Sequence, residues 1–203
     1  MAASRIALVG ALLGSCALAQ NCTAPPPAKN FDQGQMEGQW FEIARIQTAG
    51  GNALQQFCAC TELVFSPSSL PAPYNSPHDH DVLNSCRFLE PTGFFVNATS
   101  YLTNNSADGS AHWNEVYCTE GCPPASYNFI IAGQDKRGVD YAVEYDCSNN
   151  PIFGDNYCLH YLSREPLGFD QVLLDELVLQ TTVIMGLNPQ NRVLNVTTQE
   201  GCW

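Results

Sequence analysis

Basic residues are scarce in this chain, with 8 Lys and Arg against 20 Asp and Glu over 203 residues, a net charge of −12. That balance argues against nucleic acid or an anionic membrane surface as a partner, because both are recognised through positive charge. Beyond the amino terminus no stretch approaches the roughly 18 apolar residues of a membrane-spanning helix, so no stable membrane insertion is expected. Catalytic signatures are missing too: there is no phosphate-cradling loop, no His-Glu-x-x-His helix and no Ser-His-Asp signature. Cys58-Ala59-Cys60 and the Cys118/Cys122 pair do not form the repeated two-residue-spaced knuckles of a zinc site. His78-Asp79-His80-Asp81 offers ligand types for a transition metal, but adjacent histidines on a loop are more often solvated, so neither metal nor cofactor is expected. No internal repeat and no second domain is visible.

What is present points outward from the cell. Residues 1–19 carry one early cation, Arg5, an apolar run from Ile6 to Leu13 and the small-x-small site Ala17-Leu18-Ala19, which reads as a secretory signal peptide. Leu13-Gly14-Ser15-Cys16 loosely resembles a bacterial lipoprotein box, against which the features that follow argue. Asn-x-Ser/Thr triplets at Asn21, Asn97, Asn104 and Asn195 are glycan acceptors in a secreted eukaryotic product. Of the 10 cysteines, Cys16 leaves with the signal peptide, and the remaining odd number implies bridges with one thiol free or paired with another chain or a ligand.

The mature chain, residues 20–203, reads as one domain. Residues 20–37 are a proline-rich arm, since Pro25-Pro26-Pro27 suits neither helix nor central strand. Strand-like segments then recur at 38–45, 58–66, 82–89, 94–103, 112–118, 127–134, 139–147 and 157–164, separated by Gly-, Pro- and Asn-containing breaks. About eight short strands at such spacing predict an all-β sandwich or up-and-down barrel over 38–164. The period changes only at 168–184, where Phe169, Val172, Leu173 and Leu177 fall at helical spacing, so one helix should pack on the outside. Residues 185–203 form a tail in which Arg192 to Thr197 reads as a short final strand, and a bridge at Cys202 would pin it.

The segment Gly38-Gln39-Trp40-Phe41-Glu42-Ile43 opens the first strand on a glycine and a large indole. By itself it is an ordinary core tryptophan beside a turn. With Cys22, Pro25-Pro26, Asn30-Phe31-Asp32, Val82-Leu83-Asn84, Tyr141-Ala142-Val143-x-Tyr145-x-Cys147 and Leu162-x-Arg164-x-Pro166, it resembles the apolipoprotein D branch of the lipocalin family along nearly the whole mature chain. The resemblance implies an eight-stranded antiparallel up-and-down barrel with one carboxy-terminal helix outside. It also implies bridges Cys22–Cys147 and Cys60–Cys202, and Arg164 lying across Trp40 at the closed end. The second lipocalin signature, usually Thr-Asp-Tyr, meets Gln134-Asp135-Lys136-Arg137-Gly138 here, a longer turn with Asp135 its match. That departure bears on any cell-surface receptor contact through the turn, not on the barrel. Cys118 and Cys122 are close enough to bridge locally, whereas the partners of Cys58, Cys86 and Cys158 stay open.

Strand alternation supplies a pocket set. Trp40 inward puts Glu42 and Ala44 inward, and Arg164 inward does the same for Cys158, His160 and Leu162. A glycan on Asn97 turns Phe94, Val96, Ala98 and Leu102 to the other face. The resemblance adds Phe65, Asn84 and Phe129. The expected ligand-binding residues are therefore Glu42, Phe65, Asn84, Phe94, Val96, Phe129 and His160, each of which could equally be core packing. The expected function is a secreted, non-enzymatic carrier of a small hydrophobic ligand, monomeric or weakly associating. Two alternatives stand beside it: a lipocalin enzyme using Cys86 or Cys158, and a loop-mediated protease inhibitor or defence protein.

Overall fold

The computed structural model describes residues 25–29, 31, 33–47, 55–68, 79–104, 110–116, 124–150, 154–187 and 193–203. The expected signal peptide and Asn21, Cys22, His78, Cys118 and Cys122 lie outside them. A short helix α1 (Gln33–Met36) precedes strands β1 (Gly38–Gln47), β2 (Cys58–Pro67), β3 (His80–Phe88), β4 (Phe95–Asn104), β5 (His112–Val116), β6 (Ala125–Gln134), β7 (Asp140–Asn150) and β8 (Gly154–Ser163). Helix α2 (Gln171–Leu179) and a two-residue strand β9 (Asn195–Val196) follow. Each strand from β1 to β8 pairs antiparallel with its neighbour in sequence, and β1 pairs with both β8 and β2, which closes an eight-stranded up-and-down barrel. Closure satisfies the strand edges that an open sheet would leave exposed.

The floor of the barrel is built around Trp40, which is fully buried and packs with Phe31, Phe65, Trp113 and Phe129. Its indole N–H donates to the Met36 carbonyl at 2.8 Å, so α1 plugs this end. Arg164 lies 3.8 Å from the centre of the Trp40 ring and donates to the carbonyls of Gln35, Glu37 and Gln39 at 2.7 Å each. Gly38 is required between them: its φ is +93°, and a Cβ would stand 3.2 Å from Arg164 Nη1. Arg164→Ala strips the cation from the indole and three carbonyls of their donor, and is expected to cost about 2 kcal/mol. Arg164→Lys should restore less than half, because an ammonium cannot reach three carbonyls in a planar fork; denaturant midpoints of the two variants check this.

The turn joining β6 to β7 is organised by Asp135, a buried carboxylate that accepts from the backbone N–H of Arg137 at 2.8 Å and of Val139 at 3.0 Å. Arg137 returns to it at 2.9 Å and also reaches Glu165 at 3.0 Å, which ties the turn to the chain leaving β8.

A bulge in β1 corrects part of the alternation argument. The register against β8 shifts between Glu42 and Ala44, after which Ala44 pairs with Tyr161, Arg45 with His160 and Gln47 with Cys158. Cross-strand partners share a face, so Glu42, Arg45 and Gln47 are on one side with His160. Ala44 is turned outward instead, into the cluster of Ile43, Val143, Tyr161, Leu174 and Leu177 beneath α2.

The helix starts at Gln171 rather than at residue 168 and reaches the expected end at Ile184. It begins at Gln171, with Asp170 as its cap accepting from the Val172 N–H at 3.1 Å, and continues beyond Leu179 as a π-helical turn, Gln180–Ile184. Leu174, Leu177 and Thr181 face the barrel, the last through a 2.6 Å hydrogen bond with the Tyr161 hydroxyl, while Val172 is 65% exposed. Of the expected stripe, Leu177 is buried and Phe169 and Leu173 pack against the same cluster, Val172 is the exception, and Leu174 joins them in the core.

Candidate functional site

Above the aromatic floor the barrel opens into a cavity with about 650 Å3 of empty space, its open mouth included. Glu42, Leu63, Asn84, Val96, Ala98, Glu115, Tyr127, Glu144 and His160 line it, with Gln55, Cys58, Thr61, Ser85 and Cys86 toward one side. Leu63, Val96 and Ala98 offer apolar surface, and the opposite wall is polar.

Glu42 organises that wall. Its Oε1 accepts from Arg45 Nη1 at 2.5 Å and from the Thr197 hydroxyl, and its Oε2 meets His160 Nδ1 at 2.5 Å. Burial alone would raise its pKa, but the His160 hydrogen bond and charge, the Arg45 charge and Thr197 together draw it down to about 2. For His160, burial pulls the pKa down, but the Glu144 charge and the contacts with Cys158 and Glu42 prevail and hold it well above the ordinary range. The pair is therefore an ion pair at neutral pH. Glu144 lies opposite His160 on the β7–β8 ladder. Burial, reinforced by the Glu42 charge, raises its pKa despite His160 and Tyr127.

The Thr197 contact comes from the tail, which completes the wall. Strands β1 and β2 pair only over Gly38–Phe41 and Glu62–Phe65, then separate. Into that gap β9 adds to β1, the Cys60 N–H donates to the Thr198 carbonyl at 2.7 Å, and the Gln199 amide bridges the carbonyls of Glu42 and Thr61 at 2.8 Å each. Cys60, at φ +55° in a bulge of β2, is bonded to Cys202. A second bridge, Cys58–Cys86, joins β2 and β3 beside the cavity. Cys86 is thus no free thiol, contrary to one of the enzymatic readings. Cys147 is also disulfide-bonded, and its expected partner, Cys22, falls outside the described residues.

Among the described residues Cys158 is the free cysteine. It is 4% exposed, its Sγ is 3.9 Å from Gln47 Oε1, and burial raises its pKa despite His160.

Of the residues expected to touch a ligand, Glu42, Asn84, Val96 and His160 line the cavity. Phe65 and Phe129 sit in the floor cluster, 5.6 Å apart between ring centres. Phe94 precedes β4, is 67% exposed and stacks on Phe88 at 5.1 Å, outside the cavity lining. Asn97 and Asn195 are exposed and Asn104 half-buried. His80 is not the solvated loop residue expected: it begins β3, is 6% exposed, and stands 3.5 Å from Glu37 and edge-on to Trp113. Sequence reasoning missed Glu115, Tyr127 and Glu144. The β7–β8 register supplies the signal for Glu144, since an inward His160 carries its cross-strand partner inward.

A closed barrel of eight meandering strands, one helix against its outside, an arginine over the floor tryptophan and a cavity open at the far end together define the lipocalin fold. Solved structures of this fold include insecticyanin from the tobacco hornworm Manduca sexta, with TM-score 0.54, 18% identity, and 89% of this chain and 88% of that chain covered. Lobster apocrustacyanin A1 is similar at TM-score 0.50 and 16% identity, over 80% of this chain and 77% of that chain. H1 crustacyanin from the lobster Homarus americanus follows at 0.50 and 15%, over 85% and 80%. At these identities the likeness is one of fold. No protein-family model matches the chain, and no curated protein matches it in sequence.

Proposed function

We propose that this chain is a secreted lipocalin, similar to the apolipoprotein D branch, that binds and carries a small hydrophobic molecule in its barrel: a fatty acid, retinoid, sterol, carotenoid or bilin. The observation that carries the reading is the cavity above the Trp40 floor, with apolar surface from Leu63, Val96 and Ala98 and a few convergent polar groups. Such a site gains affinity by burying apolar ligand surface, about 25 cal/mol per Å2, while one polar end is oriented by Asn84, Glu42 or His160. Secretion is supported by the bridges Cys58–Cys86 and Cys60–Cys202, which persist in oxidising compartments. Exposure of Asn97 and Asn195 suits glycosylation. The carrier acts as a monomer or weak oligomer and delivers its ligand to a cell-surface receptor.

Thiol chemistry draws no support from the cavity. Cys86 is bonded, and the raised pKa of buried Cys158 keeps it as the weakly nucleophilic thiol at neutral pH. The test is an organic extract of the mature protein from its native source or a secreting host, read by absorbance and mass spectrometry. A stoichiometric apolar molecule is the expected result. An empty cavity that also binds none of a panel of fluorescent fatty acids and retinoids would falsify the carrier reading.

A further inference from the structure

We propose that the cavity selects an organic cation, an amphiphile whose basic nitrogen sits against Glu144 and Tyr127 and whose apolar body lies along Leu63, Val96 and Ala98. The inference rests on the carrier reading and narrows its ligand class. Among the described residues three acidic side chains, Glu42, Glu115 and Glu144, line the cavity, and His160 is the one basic group in that lining. A neutral-lipid site has no need of them.

The two cations of the wall are already engaged. Arg45 and His160 hold opposite oxygens of Glu42, and Thr197 adds a third contact to that carboxylate. Arg45 lies behind Glu42 rather than among the lining residues. A ligand carboxylate entering the cavity would therefore meet carboxylates before it met a cation, which disfavours fatty acids and other acidic members of the class. Glu144 feels the His160 charge across the β7–β8 ladder but is hydrogen-bonded to neither cation. It is 3% exposed and the Tyr127 hydroxyl 1%; the two interact with each other, but neither Glu144 Oε2 nor the Tyr127 hydroxyl makes a well-formed hydrogen bond to any described residue. Both residues line the same space. A buried carboxylate oxygen without a donor costs on the order of 1–3 kcal/mol, and a ligand N–H or ammonium placed there removes that cost while the Tyr127 ring and hydroxyl provide further attraction. An alcohol could donate one hydrogen bond but would bring no positive charge to the carboxylate. The bulge in β1 contributes to this selectivity, because it brings Arg45 into register with His160 and so directs both cations to Glu42.

Matched single-chain probes separate the possibilities: decylamine, decanol and decanoate, titrated calorimetrically into the extracted full-length mature protein at neutral pH. The amine is expected to bind about tenfold or more tighter than the alcohol, with the acid weakest. Glu144→Gln should bring the amine to within about twofold of the alcohol while leaving alcohol affinity in place, a pattern that a merely structural role would not produce. Tyr127→Phe, which keeps the carboxylate, should weaken the amine severalfold and spare the alcohol. The wild-type ranking decides the matter even where Glu144→Gln does not fold. Equal binding of amine and alcohol, or preference for the acid, overturns the cation inference and leaves the carrier reading standing. Failure of all three probes, with retinol also unbound, overturns both.

Discussion

Glu42→Ala is expected to destabilise the fold by about 3–5 kcal/mol, measured as the loss of unfolding free energy in denaturant at neutral pH. The substitution removes the partner of two buried cations at once, since Arg45 is 4% exposed and His160 also 4%. His160 can discharge by losing its proton, but the guanidinium of Arg45 cannot, so the residual penalty falls on Arg45. Removing the ions together is a different experiment. Glu42→Met with Arg45→Met leaves no uncompensated charge and should recover most of the loss. The same group sets a pH dependence. A carboxylate held at about 2 in the fold and at 4.5 when unfolded contributes stability that is complete above 4.5 and disappears as the pH falls toward 2, about 3 kcal/mol in all. His160, raised in the fold, contributes fully below 6.5 and loses its share as the pH climbs through its elevated value. Glu144, also raised, favours the fold at low pH and partly offsets Glu42. The acid limb of the stability curve should therefore flatten in Glu42→Ala, and an acid limb unchanged by the substitution would remove Glu42 from this role.

Much of the barrel was legible because closure depends on local signals. Strand boundaries follow Gly, Pro and Asn breaks, and the floor follows from Gly38, Trp40 and Arg164, whose spacing along two adjacent strands brings guanidinium over indole. The cavity wall was less legible for a specific reason. Alternation predicts faces only while the register runs unbroken, and the bulge between Glu42 and Ala44 exchanges the faces of every later residue of β1. Ala44 is thereby lost to the helix face, and Arg45, which a regular strand would expose, becomes the partner of Glu42. Glu115 and Glu144 were overlooked because an acidic residue in a strand reads as solvent-facing, and only placement opposite or beside other inward groups reverses that. Phe94 shows the converse. Its parity is inward, but it stands one residue before β4 begins and stacks on Phe88 instead.

Breaking the Cys60–Cys202 bridge, as in Cys202→Ser, is expected to cost roughly 5 kcal/mol in the chain-entropy model, because the loop it closes spans 142 residues. The folded side of the balance enlarges the consequence. Thr197, Thr198 and Gln199 occupy the gap that β1 and β2 leave above Phe41, and Trp203 packs edge-on to Phe41 at 5.2 Å. The bridge holds this segment where it can hydrogen-bond Glu42, so its loss frays the tail and withdraws Thr197 from the carboxylate. The two effects are therefore coupled. Thr197→Val in the bridged protein should cost about 1–2 kcal/mol as Glu42 and Arg45 lose a shared hydroxyl, but the same change added to Cys202→Ser should cost far less, because the hydroxyl is already displaced. Additive costs in that double-mutant cycle would show that the tail keeps its place without the bridge. Amide exchange offers an independent reading: the Thr197 N–H, bonded to the Ile43 carbonyl at 2.9 Å, should lose protection in Cys202→Ser while the β7–β8 ladder keeps its own.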